Sequence, residues 1–204
     1  MNTAFLRMPP PEDRGMMEGI PVRIVPAGFV YYWILEHLQD NLPRAYPVEV
    51  RIDQNPLKIP SFVYSKGGSQ IMSEAFLNYL RAIDRWNRDE RVLALVEGDA
   101  RSLGTNFVFG QAEVGGRFGA VYIARLNPAF YGNSENDGLF LLRILKEASH
   151  ELGHMLGLVH CRNARCVMSF SNSVWEVDRK GWLPCEECRG RLISSRARAE
   201  LERV

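Results

Sequence analysis

The residues best suited to chemistry lie in one short run, HELGHMLGLVHC, which spans residues 150–161. His150 and His154 are four positions apart, so on an α-helix their imidazoles leave the same face, about one turn from each other. Glu151 is rotated from His150 by about 100° on such a helix, so its carboxylate can stand beside a metal ion without ligating it. This arrangement provides two zinc ligands and a base for a zinc-bound water.

A third ligand has to come from outside the helix. His160 follows His154 by six positions, and in a continuous helix it would point roughly 240° away from it. The helix must therefore end between the two histidines, and Gly157 is suited to end it because glycine readily adopts the left-handed conformation. The run then reads H-E-x-x-H-x-x-G-x-x-H, a pattern far more specific for a zinc site than H-E-x-x-H alone.

Three imidazoles and a carboxylate predict hydrolytic chemistry. Neutral ligands leave zinc with its full double charge, so a water in the fourth position becomes acidic. We expect Glu151 to accept a proton from this water and to deliver it to a leaving amine, which suits hydrolysis of a peptide bond. The sequence therefore predicts a zinc-dependent metallopeptidase with a peptide or protein substrate. A non-catalytic, zinc-stabilised module that binds peptides or proteins remains the alternative, because the sequence does not define access to the site.

All four cysteines, Cys161, Cys166, Cys185 and Cys188, fall in the last quarter of the chain. An even count permits disulfides, but a C-x-x-C pair in an intracellular protein favours zinc. In an extended segment neighbouring side chains point to opposite sides, so Cys161 can face away from the metal of His160. Four thiolates would form a closed, structural zinc site, which predicts two zinc ions per chain. Two unrelated pairs of free thiols, or competition of Cys161 for the first metal, remain alternatives.

Composition excludes several other classes of protein. The 204 residues are 46% hydrophobic and carry a net charge of +1, which fits one globular domain without a field that attracts nucleic acid or membranes. No apolar run approaches the roughly 18 residues of a membrane span. The opening residues, MNTAFLRMPPPEDRG, lack the apolar core of a secretory signal. We therefore expect a cytoplasmic monomer without nucleic-acid or membrane partners.

The arginine-rich tail from Arg189 onward allows one exception. It could contact nucleic acid beside the cysteine site. Glu200 and Glu202 dilute its charge, so we favour a solvated terminal helix with Leu192, Ile193 and Leu201 packed inward.

Hydrophobic periodicity and turn residues predict an α/β (α+β) fold, a mixed twisted sheet with packed helices and a helix that carries the histidines. The domain prediction is a flexible segment 1–19 followed by one domain, 20–204, with subdomains 20–157 and 158–204. The predicted strands are 20–25, 47–53, 91–97, 106–114 and 119–126; the predicted helices are 28–41, 73–86 and 139–157; the predicted loops are 54–70 and 128–138.

One predicted strand could contribute to the site, whereas the remaining histidine is not expected to. Residues 106–114 contain Gly110 and the polar Gln111 and Glu113, which suit an exposed edge strand that could pair with an extended substrate. An ordinary hairpin without a substrate role fits equally well. His37, the one histidine outside 150–161, is expected to be a surface or half-buried residue without a role at the metal.

The sequence resembles the archaemetzincins, a metzincin-like family of zinc peptidases. The resemblance rests on HELGHMLGLVHC at 150–161, CVM at 166–168 and CEEC at 185–188, and residues 105–126 are similar to the family's strands ahead of the active helix. It implies a zincin-like fold in two parts with a horizontal cleft, and Met168 in a tight turn beneath the histidines. The implied catalytic zinc is held by His150, His154 and His160 with Glu151 as general base, and the implied structural zinc by Cys161, Cys166, Cys185 and Cys188.

Overall fold

The computed structural model describes residues 19–192. The predicted flexible segment 1–19, apart from its last residue, lies outside this range, as do Ile193 and Leu201. The strands are Ile20–Ala27 (β1), Val48–Ile52 (β2), Gln70–Met72 (β3), Arg91–Val96 (β4), Asp99–Arg101 (β5), Gly110–Ala112 (β6) and Phe118–Tyr122 (β7). The α-helices are Tyr32–Ala45 (α1), Ser73–Ile83 (α2), Asp137–Met155 (α3) and Val174–Arg179 (α4), and residues 186–192 are also helical.

Five strands form the main sheet in the order β2-β1-β4-β7-β6. The first four are parallel, and β6 runs antiparallel to β7 at the edge. The continuous apolar run of β4 suits a central strand that is buried on both faces, whereas β2 alternates buried and exposed residues. The predicted mixed sheet is therefore confirmed.

Helices cover both faces of this sheet. Alternate residues of β4 enter different cores, since Leu93 and Leu95 belong to one and Val92, Ala94 and Val96 to the other. The first core contains the apolar stripes of α1 and α3, and the second contains that of α2. The sheet thus lies between two helical layers, and α3 is buried almost completely from Arg143 to Met155.

Several predicted boundaries are wrong. Helix α1 begins at Tyr32 instead of residue 28, because Gly28 has a φ of 75° and Tyr31 is still extended. Of the predicted strand 106–114, only Gly110–Ala112 is a strand. The predicted strand 119–126 ends at Tyr122, because a 3₁₀ turn begins at Ala124. The short pair β3 and β5 and the six-residue α4 were not predicted.

None of the helices between residues 19 and 192 has both the length and the apolar character of a membrane-spanning segment. The division into subdomains at residues 157 and 158 stays a prediction.

Candidate metal centres

The C-terminal half of α3 presents the first three candidate residues. His150, Glu151 and His154 are all buried. The helix starts at a side-chain cap, since Asn136 Oδ1 accepts a hydrogen bond from the backbone N–H of Leu139. Its C-terminal end packs closely on the sheet at Gly119, since a Cβ added to this glycine would lie only 2.8 Å from Met155 Sδ. A rigid, buried helix therefore positions both histidines and the carboxylate.

The chain reverses immediately after this helix. The helix ends at Met155, and Gly157 follows with a φ of 95°, which favours glycine. The N–H of Leu158 then donates to Gly153 O at 2.9 Å, as in a helix-terminating turn. This turn brings the ring of His160 to 5.3 Å and 4.8 Å, centre to centre, from those of His150 and His154.

The three histidines have the donor chemistry of a metal site. One ligand nitrogen from each lies within 4.8 Å of the others. His150 Nδ1 is 2.7 Å from Val167 O, and His154 Nδ1 is 2.8 Å from Leu158 O. A carbonyl oxygen only accepts hydrogen bonds, so both Nδ1 atoms carry the proton and both Nε2 atoms present lone pairs.

Those two Nε2 atoms face each other at 3.1 Å. Two lone pairs at this distance repel unless a cation lies between them. Zinc–nitrogen bonds of about 2.0–2.1 Å in tetrahedral geometry place two ligand nitrogens about 3.3 Å apart, close to the separation here. The histidine site therefore fits a zinc ion.

Burial and charge disfavour the charged forms of the three histidines and of Glu151. Burial, and secondarily the charge of Lys180, lowers the pKa of His150 well below its ordinary value, and the pKa values of His154 and His160 are lowered mainly by burial. Burial, and then the neighbouring Glu147, raises the pKa of Glu151 well above that of a free carboxyl. Neutral imidazoles are the form that binds metal.

The edge strand β6 lies directly against the carboxylate. A Cβ on Gly110 would be 2.5 Å from Glu151 Oε1 and 2.6 Å from its Cγ, so the strand approaches this closely only because residue 110 has no side chain. Gly110 was part of the predicted edge strand, but its contact with Glu151 was not predicted.

Met168 lies beneath the helix at Gly153. A Cβ on Gly153 would be 2.3 Å from Met168 Sδ and 2.6 Å from the hydroxyl of Tyr46. That hydroxyl donates to Ser149 O at 2.8 Å and lies 3.7 Å from Met168 Sδ. Met168 is fully buried, so it supports the helix turn that carries the histidines.

The four cysteines converge into a second cluster. Their sulfur atoms lie within 4.8 Å of one another. The Cys161–Cys185 and Cys166–Cys188 Sγ distances are both 3.8 Å, too long for a disulfide. Zinc–sulfur bonds of about 2.3 Å in a tetrahedron separate the sulfurs by about 3.8 Å, so this cluster also fits zinc. A hydrogen bond from the backbone N–H of Cys188 lowers the pKa of the Cys185 thiol to about 7.

A cleft of about 530 Å³ opens over the histidines. One wall comes from residues 104–112, which include β6, and the other from residues 170–172. Its base contains the three histidines and Glu151, together with two charged residues that sequence analysis missed, Glu147 and Lys180. Both are buried, and their pairing across 33 positions leaves no local signal in the sequence. His37 is remote from this cleft and lies in α1, near Asn41.

Two histidines of α3 and a third beyond its end thus meet beside a carboxylate, under an edge strand and in an open cleft. This arrangement is the one expected of a zinc metallopeptidase. The chain belongs to peptidase family M54, whose family model matches residues 21–194, and within it to the archaemetzincins. The archaemetzincin of Pyrococcus abyssi is 39% identical over 181 residues, which cover 86% of this chain and 96% of that protein.

Solved structures agree with this assignment. The archaemetzincin of Methanopyrus kandleri superposes with a TM-score of 0.77 at 34% identity, over 88% of this chain and 97% of that one. The archaemetzincin of Archaeoglobus fulgidus, solved in complex with malonate, gives a TM-score of 0.71 at 34% identity, over 83% and 98% of the two chains. The expected zincin-like architecture and the resemblance are therefore confirmed.

Proposed function

We propose that the chain hydrolyses peptide bonds in this cleft, with His150, His154 and His160 as the ligands of a catalytic zinc and Glu151 as the general base. The observation that carries the proposal is the pair of Nε2 lone pairs facing each other, with both Nδ1 atoms committed to carbonyls. When bound there, zinc supplies a Lewis acid that polarises the scissile carbonyl and acidifies a water.

The chain's own residues would then handle the proton. Glu151 accepts a proton from the attacking water and passes it to the leaving amine. Its burial supports this role, because a proton held between the two transfers is shielded from exchange with bulk water. Gly110 leaves the carboxylate room beside the edge strand, and the Val167 and Leu158 carbonyls hold the two helical imidazoles in the required tautomer.

We further propose that Cys161, Cys166, Cys185 and Cys188 hold a second, structural zinc, so that the chain binds two zinc ions. The 3.8 Å sulfur separations support four thiolates around one ion rather than two disulfides. Free thiols also support a cytoplasmic location, which we propose on that basis. The expected monomer without nucleic-acid or membrane partners stays a prediction.

A peptide-library digest with and without a chelator tests the proposed activity. We expect cleavage that stops when the chelator removes zinc and returns when zinc is added back. Cleavage that persists after zinc removal would contradict the proposal. Peptide binding without cleavage by the fully zinc-loaded chain would favour the alternative, a zinc-stabilised binding module.

A further inference from the structure

The base of the cleft contains a buried ion pair that the proposed mechanism does not use. Lys180 Nζ lies 2.8 Å from Glu147 Oε1, and the two residues are only 2% and 3% exposed. Lys180 directly follows the last residue of α4, whereas Glu147 lies on α3, one turn before His150 and Glu151. Both line the cleft together with the histidines.

Structural stability alone does not account for this pair. A buried ion pair contributes little net stability, because the desolvation of two charges offsets their attraction. Neighbouring buried cations make shorter hydrogen bonds across the same interface: Arg143 makes two bonds to Asp178, and Lys146 donates to the carbonyls of Val177 and Asp178. These contacts already join α3 to α4, so Lys180 is not needed to attach the two helices.

Lys180 and Glu147 instead retain unused hydrogen-bonding capacity. Besides Glu147, the ammonium reaches one other acceptor among residues 19–192, Ser169 O, at a long 3.4 Å. Apart from this ion-pair contact with Lys180, Glu147 Oε1 has no hydrogen-bond partner among the described residues. The same holds for Ser171 Oγ, which is buried in the cleft wall. Buried polar atoms without partners are costly, so a ligand that completes them gains affinity.

The position of the pair indicates which part of a substrate would meet it. Glu147 precedes His150 by three residues and Glu151 by four, so it lies on the same helix face, about 6 Å before Glu151 along the axis. In the proposed mechanism Glu151 delivers its proton to the leaving amine. When the leaving amine lies beside Glu151, the residue that carries it is close to Glu147 and Lys180, and its side chain can reach them within the same cleft.

We propose that Glu147, Lys180 and Ser171 form a polar subsite that selects a carboxamide side chain, glutamine or asparagine, on the residue whose amine leaves. This inference rests on the proposed peptidase function. A carboxamide oxygen accepts from Lys180 while its NH₂ group donates to Glu147 or to Ser171. The carboxamide is neutral, so it supplies the missing hydrogen bonds of Lys180 and Glu147 without burying a third charge.

Other side chains fit the same space less well. An aliphatic side chain excludes water from the ion pair and offers no hydrogen bond in return. A glutamate places a second carboxylate beside Glu147, and a lysine places a second ammonium beside Lys180, so each buries an unbalanced charge. The subsite thus differs from an apolar pocket in rejecting methionine, which matches glutamine closely in length.

The test uses acetylated and amidated alanine octapeptides that carry one glutamine, methionine, glutamate or lysine. Mass spectrometry gives kcat/KM for the bond before the variable residue with the zinc-loaded chain, and calorimetry gives Kd with zinc-loaded Glu151→Gln protein. We expect the glutamine peptide to have a kcat/KM at least about tenfold higher than that of the methionine peptide, and a Kd at least about tenfold lower, because sites built to hydrogen-bond reject analogues that lack the partner. Equal values for the two peptides, or a higher kcat/KM and a lower Kd for methionine, would overturn the subsite.

A double variant, Glu147→Leu with Lys180→Met, removes both charges without leaving one unpaired. We expect it to favour methionine over glutamine while its zinc content stays unchanged. The matched control is the exposed pair of β2, Glu49→Leu with Arg51→Met, which should keep the glutamine preference. An unchanged preference in the Glu147 and Lys180 variant would also overturn the subsite.

Two further outcomes separate this inference from the proposed function. If the double variant does not fold, Ser171→Ala replaces it and should reduce the ratio of glutamine to methionine binding severalfold; an unchanged ratio counts against the subsite. If the Glu151→Gln protein prefers glutamine but the unmodified chain cleaves none of the peptides, the subsite stands and the proposed peptidase function fails.

Discussion

The histidine site and the cysteine site meet at adjacent residues, His160 and Cys161, but they differ in charge and in access. The proposed ligands of the histidine site are neutral imidazoles, and His160 is exposed in a cleft. Two of the four sulfurs, those of Cys166 and Cys188, belong to fully buried residues. Neutral ligands leave the charge of a bound zinc available to a substrate, whereas four thiolates exceed and quench it. The same metal can therefore serve catalysis at one site and structure at the other.

Three consecutive residues connect the two sites. Cys166 contributes a sulfur to the cysteine cluster, Val167 accepts the hydrogen bond of His150 Nδ1, and Met168 packs beneath the helix. The N–H of Cys161 also donates to Met168 O at 2.8 Å, which attaches the segment that carries His160. We therefore expect the geometry of the histidine site to depend on that of the cysteine site.

The largest expected effect is the loss of a buried thiolate. Cys188→Ser should lower the free energy of unfolding by at least about 4 kcal/mol, as expected for loss of a structural metal. His160→Ala removes an exposed ligand and should cost less than about 1 kcal/mol while abolishing turnover. Thermal and urea melts with zinc analysis measure both. Equal destabilisation by the two substitutions would remove the distinction between a structural and a catalytic site.

A methyl group added at Gly110, beside the proposed general base, should impair catalysis but leave the cysteine site intact. The Cβ of Gly110→Ala would displace the carboxylate of Glu151, and a shift of about 1 Å can reduce kcat by about 10²-fold. Gly138→Ala is the matched control, because its Cβ would meet only Asn136 Oδ1 at an ordinary 3.6 Å. Peptidase assays on both variants measure the effect, and full activity of Gly110→Ala would mean that Glu151 does not act from this position.

The sequence predicts contacts between residues that are close in the chain better than contacts between residues that are far apart in it. His150, Glu151 and His154 are related by helix geometry alone, so their common face could be predicted from spacing. The convergence of Cys161 and Cys166 with Cys185 and Cys188 is non-local; residue type and family resemblance indicated it, and periodicity did not. The pair Glu147 and Lys180 was missed because it depends on the packing of α4, a six-residue helix too short to produce a periodic pattern.

The connection between the sites predicts a smaller effect. Cys185→Ser should loosen the segment that carries His160 and lower the zinc affinity of the histidine site by about tenfold, as for changes in the residues that support a metal ligand. Competition with a chromophoric chelator, at a temperature where the variant is folded, measures this affinity. If the affinity of the histidine site is unchanged, the two sites are independent.

The smallest expected effect concerns the support beneath the helix. Tyr46→Phe removes one hydrogen bond to Ser149 O and should lower the free energy of unfolding by about 1 kcal/mol. Zinc content at both sites should stay the same, because the ring still fills the space under Gly153. A urea melt with zinc analysis checks this, and loss of zinc would show that the hydroxyl positions the ligands directly.

Replacement of Glu151 by glutamine gives the sharpest test of its proposed role as general base at the histidine site. Zinc-loaded Glu151→Gln keeps the shape of the side chain and removes its ability to accept and deliver a proton. The account predicts that turnover of a cleaved library peptide falls by about 10³-fold or more while both zinc ions per chain are retained. Full peptidase activity in this variant, with its zinc content intact, would contradict the role of Glu151 as general base.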